Sequence, residues 1–268
     1  MTNSPMPDMD VSRTPAPISA HPLRKVIVLG ATSGIAVEVQ RQLACLGCDL
    51  LLVARSPQRL AALQSDLLIR GARQVLTYSA DLSSVDQHDG VFEFACRMFP
   101  DFDTVLLAYG SMHDQKESEK SITVLLEELQ VDFVSAAALL TRFAAVCERR
   151  RSGCIAAITS VAGDRGRRSN YVYGSAKGGL SLFLQGLRSR LYPAGVRVIT
   201  IKPGPVQTPM TDDLPHASHF ADPQRVAGDI VRALEHRSPD VLYTPGLWRY
   251  VMTAIKLVPE TIFKRLSV

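Results

Sequence analysis

The sequence predicts a single-domain α/β fold in which a doubly wound parallel sheet carries helices on both faces. From residue 25 onward, short apolar runs alternate with segments of helical spacing, which is typical of strands buried on both faces and joined by crossover helices. The 268 residues are 46% hydrophobic and 21% charged, as in an ordinary globular domain. This composition excludes a disordered chain, a collagen-like chain and a multi-pass membrane protein.

Seven apolar runs are predicted as strands: 26–29, 49–54, 74–79, 104–108, 154–160, 196–201 and 241–243. Six segments between or after them have helical spacing: 35–46, 57–69, 85–99, 119–150, 172–192 and 223–235. These strands and helices make fewer than the eight strand–helix units of a closed β/α barrel, which favours an open sheet.

The two ends of the chain differ from this alternation. Residues 1–23 are rich in proline and lack an apolar period, so we expect a disordered tail rather than a signal peptide. Residues 24–245 are predicted to form the catalytic domain, and 246–268 a basic amphipathic segment of the same domain. With no run of about 18 apolar residues, we expect a cytoplasmic protein.

Charge and cysteine content exclude further classes. The formal net charge of +4 is mild and gives no argument for nucleic acid. Five cysteines are present, an odd number that indicates reduced thiols. Cys45 and Cys48 form a C-x-x-C, but no second pair stands at zinc spacing. The sequence therefore predicts no metal site.

A glycine-rich turn follows the first strand directly and opens the first helix. Its candidate binding residues are Gly30, Thr32, Ser33, Gly34 and Ile35. Glycines let the backbone approach a pyrophosphate, and the N-terminus of the next helix presents free N–H groups to it. The order strand, glycine turn, helix predicts a dinucleotide site.

Arg55 follows the second strand, where an acidic residue would bind the ribose hydroxyls of NAD. A guanidinium pairs instead with the ribose phosphate of NADP. The sequence therefore favours NADP(H), with NAD(H) kept as the alternative. Arg59, in the first turn of the next helix, could supplement Arg55, but we interpret it as a solvated side chain.

Tyr173 and Lys177 stand four residues apart at the start of a predicted helix. This spacing puts both on one helical face, where an ammonium favours the phenolate and lowers the phenol pKa. Such a pair can act as a general acid for a carbonyl or a base for an alcohol. Ser160 ends the fifth strand, at the edge where ligands bind an open sheet, and could hold the substrate oxygen.

The glycine turn, Asp81-Leu82, Ser160, Tyr173-x-x-x-Lys177 and Pro203-Gly204 together resemble the short-chain dehydrogenase/reductase superfamily over residues 25 to about 210. The resemblance implies a Rossmann-like fold, carbonyl positioning by Ser160, proton donation by Tyr173 and ribose binding by Lys177. It implies that Asp81 contacts the adenine and Thr208 the nicotinamide amide. The further cofactor positions it implies are Leu82, Gly110, Pro203, Gly204 and Val206. Members of the superfamily are often homo-oligomers that meet through the long fourth and fifth helices.

The sequence departs from the family pattern in three places. Ala36 replaces the glycine that usually ends the glycine motif. After the fourth strand, Leu107-Ala108-Tyr109-Gly110 replaces the usual Asn-Asn-Ala-Gly. Asp132 replaces the asparagine that usually helps hold a water beside the lysine. A carboxylate there can still accept a hydrogen bond, but it adds negative charge near Lys177. We therefore count Asp132 as a candidate catalytic residue.

Two further segments resemble the branch that reduces a decaprenylphosphoryl 2-keto-pentose to an arabinose donor. One is the loop with Arg165, Arg167 and Arg168, which could bind a phosphate; the other is the apolar, aromatic and basic C-terminus. The resemblance implies a lipid-linked sugar substrate and a flavin-dependent oxidase as partner. A basic amphipathic segment suits the inner surface of the cell membrane, or else it packs on the core or on another subunit.

Two alternative functions remain open from the sequence. The first is reduction of another soluble or lipid ketone. The second is a nucleotide-binding scaffold for an oxidase, with little activity of its own. The departure from the family pattern at Asp132 keeps the scaffold as an alternative function, whereas the intact Ser160, Tyr173 and Lys177 argue for an enzyme.

Overall fold

The computed structural model describes residues 23–211, 220–236 and 239–266, and it confirms the predicted fold class. Seven parallel strands form one sheet in the order β3-β2-β1-β4-β5-β6-β7. They are β1 (Lys25–Leu29), β2 (Asp49–Ala54), β3 (Gln74–Ser79), β4 (Thr104–Leu107), β5 (Cys154–Ile158), β6 (Arg197–Pro203) and β7 (Val241–Thr244). The tail predicted at 1–23 lies outside the described residues except for Leu23.

Helices connect the strands and follow the last one. They are α1 (Gly34–Cys45), α2 (Pro57–Ile69), α3 (His88–Met98), α4 (Gln115–Lys120), α5 (Ile122–Leu129), α6 (Ala136–Arg150), α7 (Tyr171–Leu191), α8 (Pro223–Glu235), α9 (Leu247–Leu257) and α10 (Glu260–Phe263). Side-chain caps fix several starts. Ser33 accepts a hydrogen bond from the N–H of Ala36 at 3.4 Å, and Ser56 and Asp222 each precede a proline at the first helical position.

The long helix predicted over 119–150 is interrupted in the structure. Ser121 is extended, with φ −129° and ψ 111°, and its hydroxyl caps α5. A serine side chain that bonds to nearby backbone offers an alternative to the continuing helix. A π-helical turn, Gln130–Ser135, then separates α5 from α6. Such a turn admits one extra residue and is frequent at functional sites; here it carries Asp132.

The core lies on both faces of the sheet. On β1 and β2, alternate residues such as Val26 and Leu50 pack toward α1, α2 and α8. Their neighbours, such as Ile27 and Leu51, pack toward α3, α6 and α7. Because every side chain of β2 is buried, this strand has no solvated face, as the apolar run 50–54 predicts.

The helical run 122–150 is long and apolar enough to cross a bilayer by length and composition alone. In the fold, its second half packs against the sheet, with Leu139, Leu140 and Phe143 fully buried in the core. A core helix passes the same test of length and composition, so this run gives no separate argument for a membrane.

The strand order reverses between β1 and β4, which are hydrogen-bonded neighbours although two strands separate them in the chain. At such a switch point the connections leave in opposite directions and open a crevice at the carboxyl ends of the strands. The loops after β1, β4 and β5 border this crevice, and they contain the predicted glycine turn, Gly110 and Ser160.

Candidate active site

A cavity of about 490 Å³ occupies the crevice at the carboxyl ends of the strands. All predicted cofactor positions line it: Gly30, Thr32, Ser33, Gly34, Ile35, Arg55, Asp81, Leu82, Gly110, Pro203, Gly204, Val206 and Thr208. Ser160, Tyr173, Lys177 and Arg167 line it as well. The fold thus brings residues from most of the chain to one cavity.

The glycine turn is shaped by close backbone approaches. Gly30 has φ +86°, and a Cβ there would lie 2.5 Å from the Cβ of Tyr109. A Cβ on Gly34 would lie 2.9 Å from the Cβ of Thr208. Both positions therefore require glycine, one for its positive φ and both for space. The turn leaves the N-terminus of α1 open to the cavity, a geometry that fits a bound pyrophosphate.

Two arginines lie at the end of β2. Arg55 is exposed and lines the cavity. Arg59 is exposed as well; it lines the cavity and donates from Nη2 to the carbonyl of Thr32 at 3.1 Å, a position from which it can supplement Arg55. Together they form a cationic wall beside the glycine turn.

Asp81 and Leu82 follow β3 at the same edge. The Asp81 carboxylate accepts hydrogen bonds from the N–H of Ser83 at 3.0 Å and from its hydroxyl at 2.8 Å, which fixes the turn. The carbonyl of Leu82 is held by the His88 ring at 2.9 Å. These bonds hold the turn rigidly at the cavity wall.

Ser160, Tyr173 and Lys177 meet at the other end of the cavity. Helix α7 begins at Tyr171, so Tyr173 and Lys177 lie on one face of its first turns, with Lys177 Nζ 5.7 Å from the centroid of the tyrosine ring. Ser160 follows β5 and lines the cavity together with Tyr173, and its hydroxyl lowers the pKa of the Tyr173 phenol. The three side chains can therefore act on one substrate oxygen.

Asp132 pairs directly with Lys177 rather than only through a water. Its Oδ1 lies 2.7 Å from Lys177 Nζ, and both side chains are almost fully buried. Its Oδ2 accepts hydrogen bonds from the N–H of Ser111 at 3.1 Å and from the Ser111 hydroxyl at 3.0 Å. A Cβ on Gly110 would lie 2.4 Å from Asp132 Oδ1, so glycine is needed next to the pair. Asp132 thus positions both Lys177 and the loop after β4.

Burial, with a smaller contribution from Asp132, reverses the expected direction of the shift in the Tyr173 pKa. Burial raises the pKa of Tyr173, Lys177 lowers it, and the Asp132 carboxylate raises it again; the pKa lies above its ordinary value. Burial disfavours the Lys177 ammonium, but Asp132, Tyr173 and Glu128 together outweigh it, so the pKa of Lys177 is also raised. The expected lowering by Lys177 is present but outweighed. Tyr173 is therefore protonated at neutral pH.

The three arginines predicted to bind substrate are not equivalent. Only Arg167 lines the cavity. Arg165 donates to the carbonyls of Ile255 and Val258, both at 2.6 Å, and pairs with Glu260 at 3.0 Å. Its guanidinium therefore anchors the C-terminal segment instead of facing the cavity. Arg168 is exposed and does not line the cavity.

Trp248 is a cavity residue that sequence reasoning missed. It lies on α9 and lines the cavity, where a Cβ on Gly204 would lie 2.0 Å from its Nε1. Glycine at 204 thus makes room for the indole. No local signal indicates this contact, because the two residues belong to elements separated by α8 and β7. The C-terminal segment 246–266 accordingly forms part of the site's wall.

Comparisons with known proteins agree with this geometry. The family model of the short chain dehydrogenases matches residues 24–219. An uncharacterized oxidoreductase of Mycobacterium tuberculosis is 33% identical over 241 residues, which are 90% of this chain and 96% of that protein. Its name gives a reaction class and no substrate.

Solved structures share the fold. A short chain dehydrogenase from Burkholderia cenocepacia in complex with NADP has a TM-score of 0.79 at 18% identity, covering 92% of this chain and all of that one. A short-chain dehydrogenase from Sphingobium yanoikuyae in complex with NADPH has a TM-score of 0.77 at 21% identity, covering 89% and 97%. With the family match over most of its length, this chain belongs to the short chain dehydrogenases and is an NAD(P)-dependent oxidoreductase.

Proposed function

We propose that this enzyme uses NADPH to reduce a ketone to a secondary alcohol. The observation that carries the proposal is the position of Ser160, Tyr173 and Lys177 on the same cavity as the glycine turn. A general acid and a cofactor cradle facing one space are what carbonyl reduction needs. The test is NADPH oxidation by the purified protein against a panel of ketones, with loss of absorbance at the reduced nicotinamide band as the readout.

Each residue has a role that follows from its chemistry. Ser160 donates a hydrogen bond to the carbonyl oxygen, and Tyr173 donates its proton to that oxygen as it becomes a hydroxyl. Because the pKa of Tyr173 is raised, the phenol is in the protonated form that reduction requires. The Lys177 ammonium, held by Asp132 at 2.7 Å, offsets negative charge that develops on the tyrosine oxygen. When bound, NADPH supplies the hydride.

The residues present fit this cofactor. The open N-terminus of α1 suits the pyrophosphate, and the wall formed by Arg55 and Arg59 suits a ribose phosphate. The Burkholderia and Sphingobium proteins of the same fold are described with NADP and NADPH. These points support NADPH over NADH as the reductant.

Arg55→Ala is expected to raise the KM for NADPH at least about tenfold, since a charge-assisted hydrogen bond contributes roughly 1.5–3 kcal/mol. The KM for NADH, which lacks the ribose phosphate, is expected to stay within about twofold. Steady-state kinetics with each cofactor and one ketone provide the measurement. An equal loss with both cofactors would mean that Arg55 only supports the fold.

For the substrate, we extend the proposal to the 2-keto group of a polyprenylphosphoryl pentose. The support is the C-terminal segment, which lines the cavity through Trp248 and exposes Leu247, Tyr250 and Leu257 by 69%, 73% and 77%. An apolar surface next to the cavity suits a lipid tail. This substrate would come from an oxidase that acts first on the alcohol form, so a flavin-dependent partner is part of the proposal. NADPH oxidation with this substrate in detergent, against a soluble ketone, tests it.

The same segment supports contact with an anionic membrane surface. Arg249 and Lys256 lie among the exposed apolar residues of α9, a combination that binds the interfacial plane of a bilayer. The protein is expected to sediment with vesicles that contain anionic lipid, and the double variant Leu247→Glu, Tyr250→Glu to stay in the supernatant. If wild type stays in the supernatant too, α9 covers another protein surface instead.

Exposed apolar residues on α5, on the π-helical turn and on α7 support a homo-oligomer. Ile122, Leu126 and Val134 are exposed by 70%, 56% and 46%, and Leu182 on α7 by 70%. Helices that leave apolar residues uncovered are typical of subunit contacts. Leu182→Asp is expected to reduce the assembly to a smaller species in sedimentation velocity, whereas Leu68→Asp, a change of an exposed residue on α2, is expected to leave it unchanged.

A further inference from the structure

The loop between β5 and α7 contains Arg165, Arg167 and Arg168, and the fold uses them in three different ways. Arg165 is held by the backbone carbonyls of the C-terminal segment and by Glu260. Arg168 points to solvent. Arg167 lies against the cavity that also contains Tyr173.

Arg167 is half-buried and carries a buried polar atom without a hydrogen-bond partner. Its Nε is buried and has no hydrogen-bond partner. Within residues 23–211, 220–236 and 239–266, no carboxylate lies within ion-pair distance of its guanidinium. Asp164, the acidic residue nearest in the loop, is occupied by Lys202 and accepts from the Tyr243 hydroxyl at 2.7 Å. Since an unpaired buried donor costs free energy, a ligand group that accepts this hydrogen bond would be favoured.

Asn170 offers a second unpaired group on the same cavity wall. It occupies the position before α7, where an asparagine side chain usually caps the helix, yet its side chain makes no capping bond. Its Oδ1 is buried without a partner, and the residue lines the cavity. Asn170 precedes Tyr173 by three residues, so the two lie one helical turn apart.

We infer that Arg167 and Asn170 form a substrate subsite for an oxyanion beside the reacting carbonyl. The guanidinium binds a phosphate ester or a carboxylate, and Asn170 Oδ1 accepts a hydrogen bond from a neighbouring hydroxyl. The inference rests on the proposed ketone reduction and narrows its substrate class to acidic, hydroxylated ketones. It holds whether or not a lipid tail is attached to the anion.

The binding test uses protein saturated with NADP⁺, so that the cofactor's own phosphate sites are filled, and inorganic phosphate or acetate as the probe in calorimetric titration. Wild type and Arg168→Met are expected to bind alike, and Arg167→Met at least tenfold more weakly. Tighter binding of phosphate than of acetate would identify a phosphate ester as the natural group, and the reverse a carboxylate. Equal binding by wild type and Arg167→Met, or no binding by wild type, overturns the inference.

The kinetic test compares ribulose 5-phosphate with ribulose, which differ in the anion and share the 2-keto group. Arg167→Met is expected to lower kcat/KM at least tenfold for the phosphate and less than twofold for ribulose, through KM rather than kcat. Equal losses for both sugars overturn the inference. If no ketone is reduced while phosphate binding still depends on Arg167, the reaction fails and the subsite remains. If ribulose is reduced but Arg167→Met binds phosphate as tightly as wild type, the proposed reduction holds and the subsite is overturned.

Discussion

Tyr173→Phe is expected to lower ketone turnover by about 10²–10⁴-fold, the usual contribution of a positioned general acid. The variant keeps the ring beside Lys177 and loses only the hydroxyl whose proton completes the alcohol. NADPH affinity is expected to stay within about twofold, because the turn after β1 is untouched. The measurement is kcat from NADPH oxidation, with cofactor affinity read from the fluorescence of Trp248, the chain's single tryptophan, which lines the same cavity.

Tyr171→Phe is the matched control. Tyr171 stands on the same helix two residues earlier, is 43% exposed and does not line the cavity. Its loss is expected to leave kcat unchanged. If Tyr173→Phe retained turnover as well, another group would be the acid; if neither variant nor wild type turned over, the scaffold function would gain support.

Asp132→Ala is expected to have the second-largest effect, on both stability and activity. It leaves the buried Lys177 ammonium and the Ser111 donors without their partner, and breaking a buried pair by removing one member costs roughly 3–5 kcal/mol. Urea unfolding measures the loss in free energy of unfolding. Asp86→Asn, a change of an exposed carboxylate, is the control and is expected to have no effect.

Asp132→Asn tests the electrostatic role separately from the structural one. Reduction requires protonated Tyr173, so the rate falls as pH rises through the pKa of this phenol. The Asp132 carboxylate raises that pKa, and asparagine removes the charge while keeping an acceptor for Ser111. In the pH profile of kcat, the decrease at high pH is therefore expected to begin at a lower pH in Asp132→Asn than in wild type. An unchanged decrease of kcat at high pH would show that Asp132 only positions Lys177 and the loop after β4.

Local patterns in the sequence determined most of the fold. The apolar runs predicted all seven strands to within two residues of their observed ends. In the central strands β1, β2, β4 and β5 nearly every side chain is buried, so no polar alternation obscures the run. The Gly30 turn and the Tyr173–Lys177 pair could be predicted from the sequence for a similar reason. Each is a pattern of residues close in the chain, although the lack of space for a Cβ at Gly30 and Gly34 comes from the distant residues Tyr109 and Thr208.

The predicted helix over 119–150 shows the limit of that reasoning. Its apolar period begins at Ile122 and continues through the π turn, so periodicity alone indicates no break there, while the polar residues 119–121 give no period that would place the helix start. The serine cap and the inserted residue depend on small local energies that compete with helix propagation. Their outcome decides that Asp132 lies against Lys177.

The sequence by itself determined the fold class, the glycine turn and the Ser160, Tyr173 and Lys177 constellation. The resemblance already put the charge of Asp132 near Lys177, and the tertiary structure showed that the two side chains pair directly, at 2.7 Å. Only the tertiary structure assigned Arg165 to the C-terminal segment, left Arg167 lining the cavity and brought Trp248 against Gly204. These contacts join elements that are distant in the chain, and their geometry follows from the packing of helices on the sheet rather than from any local pattern.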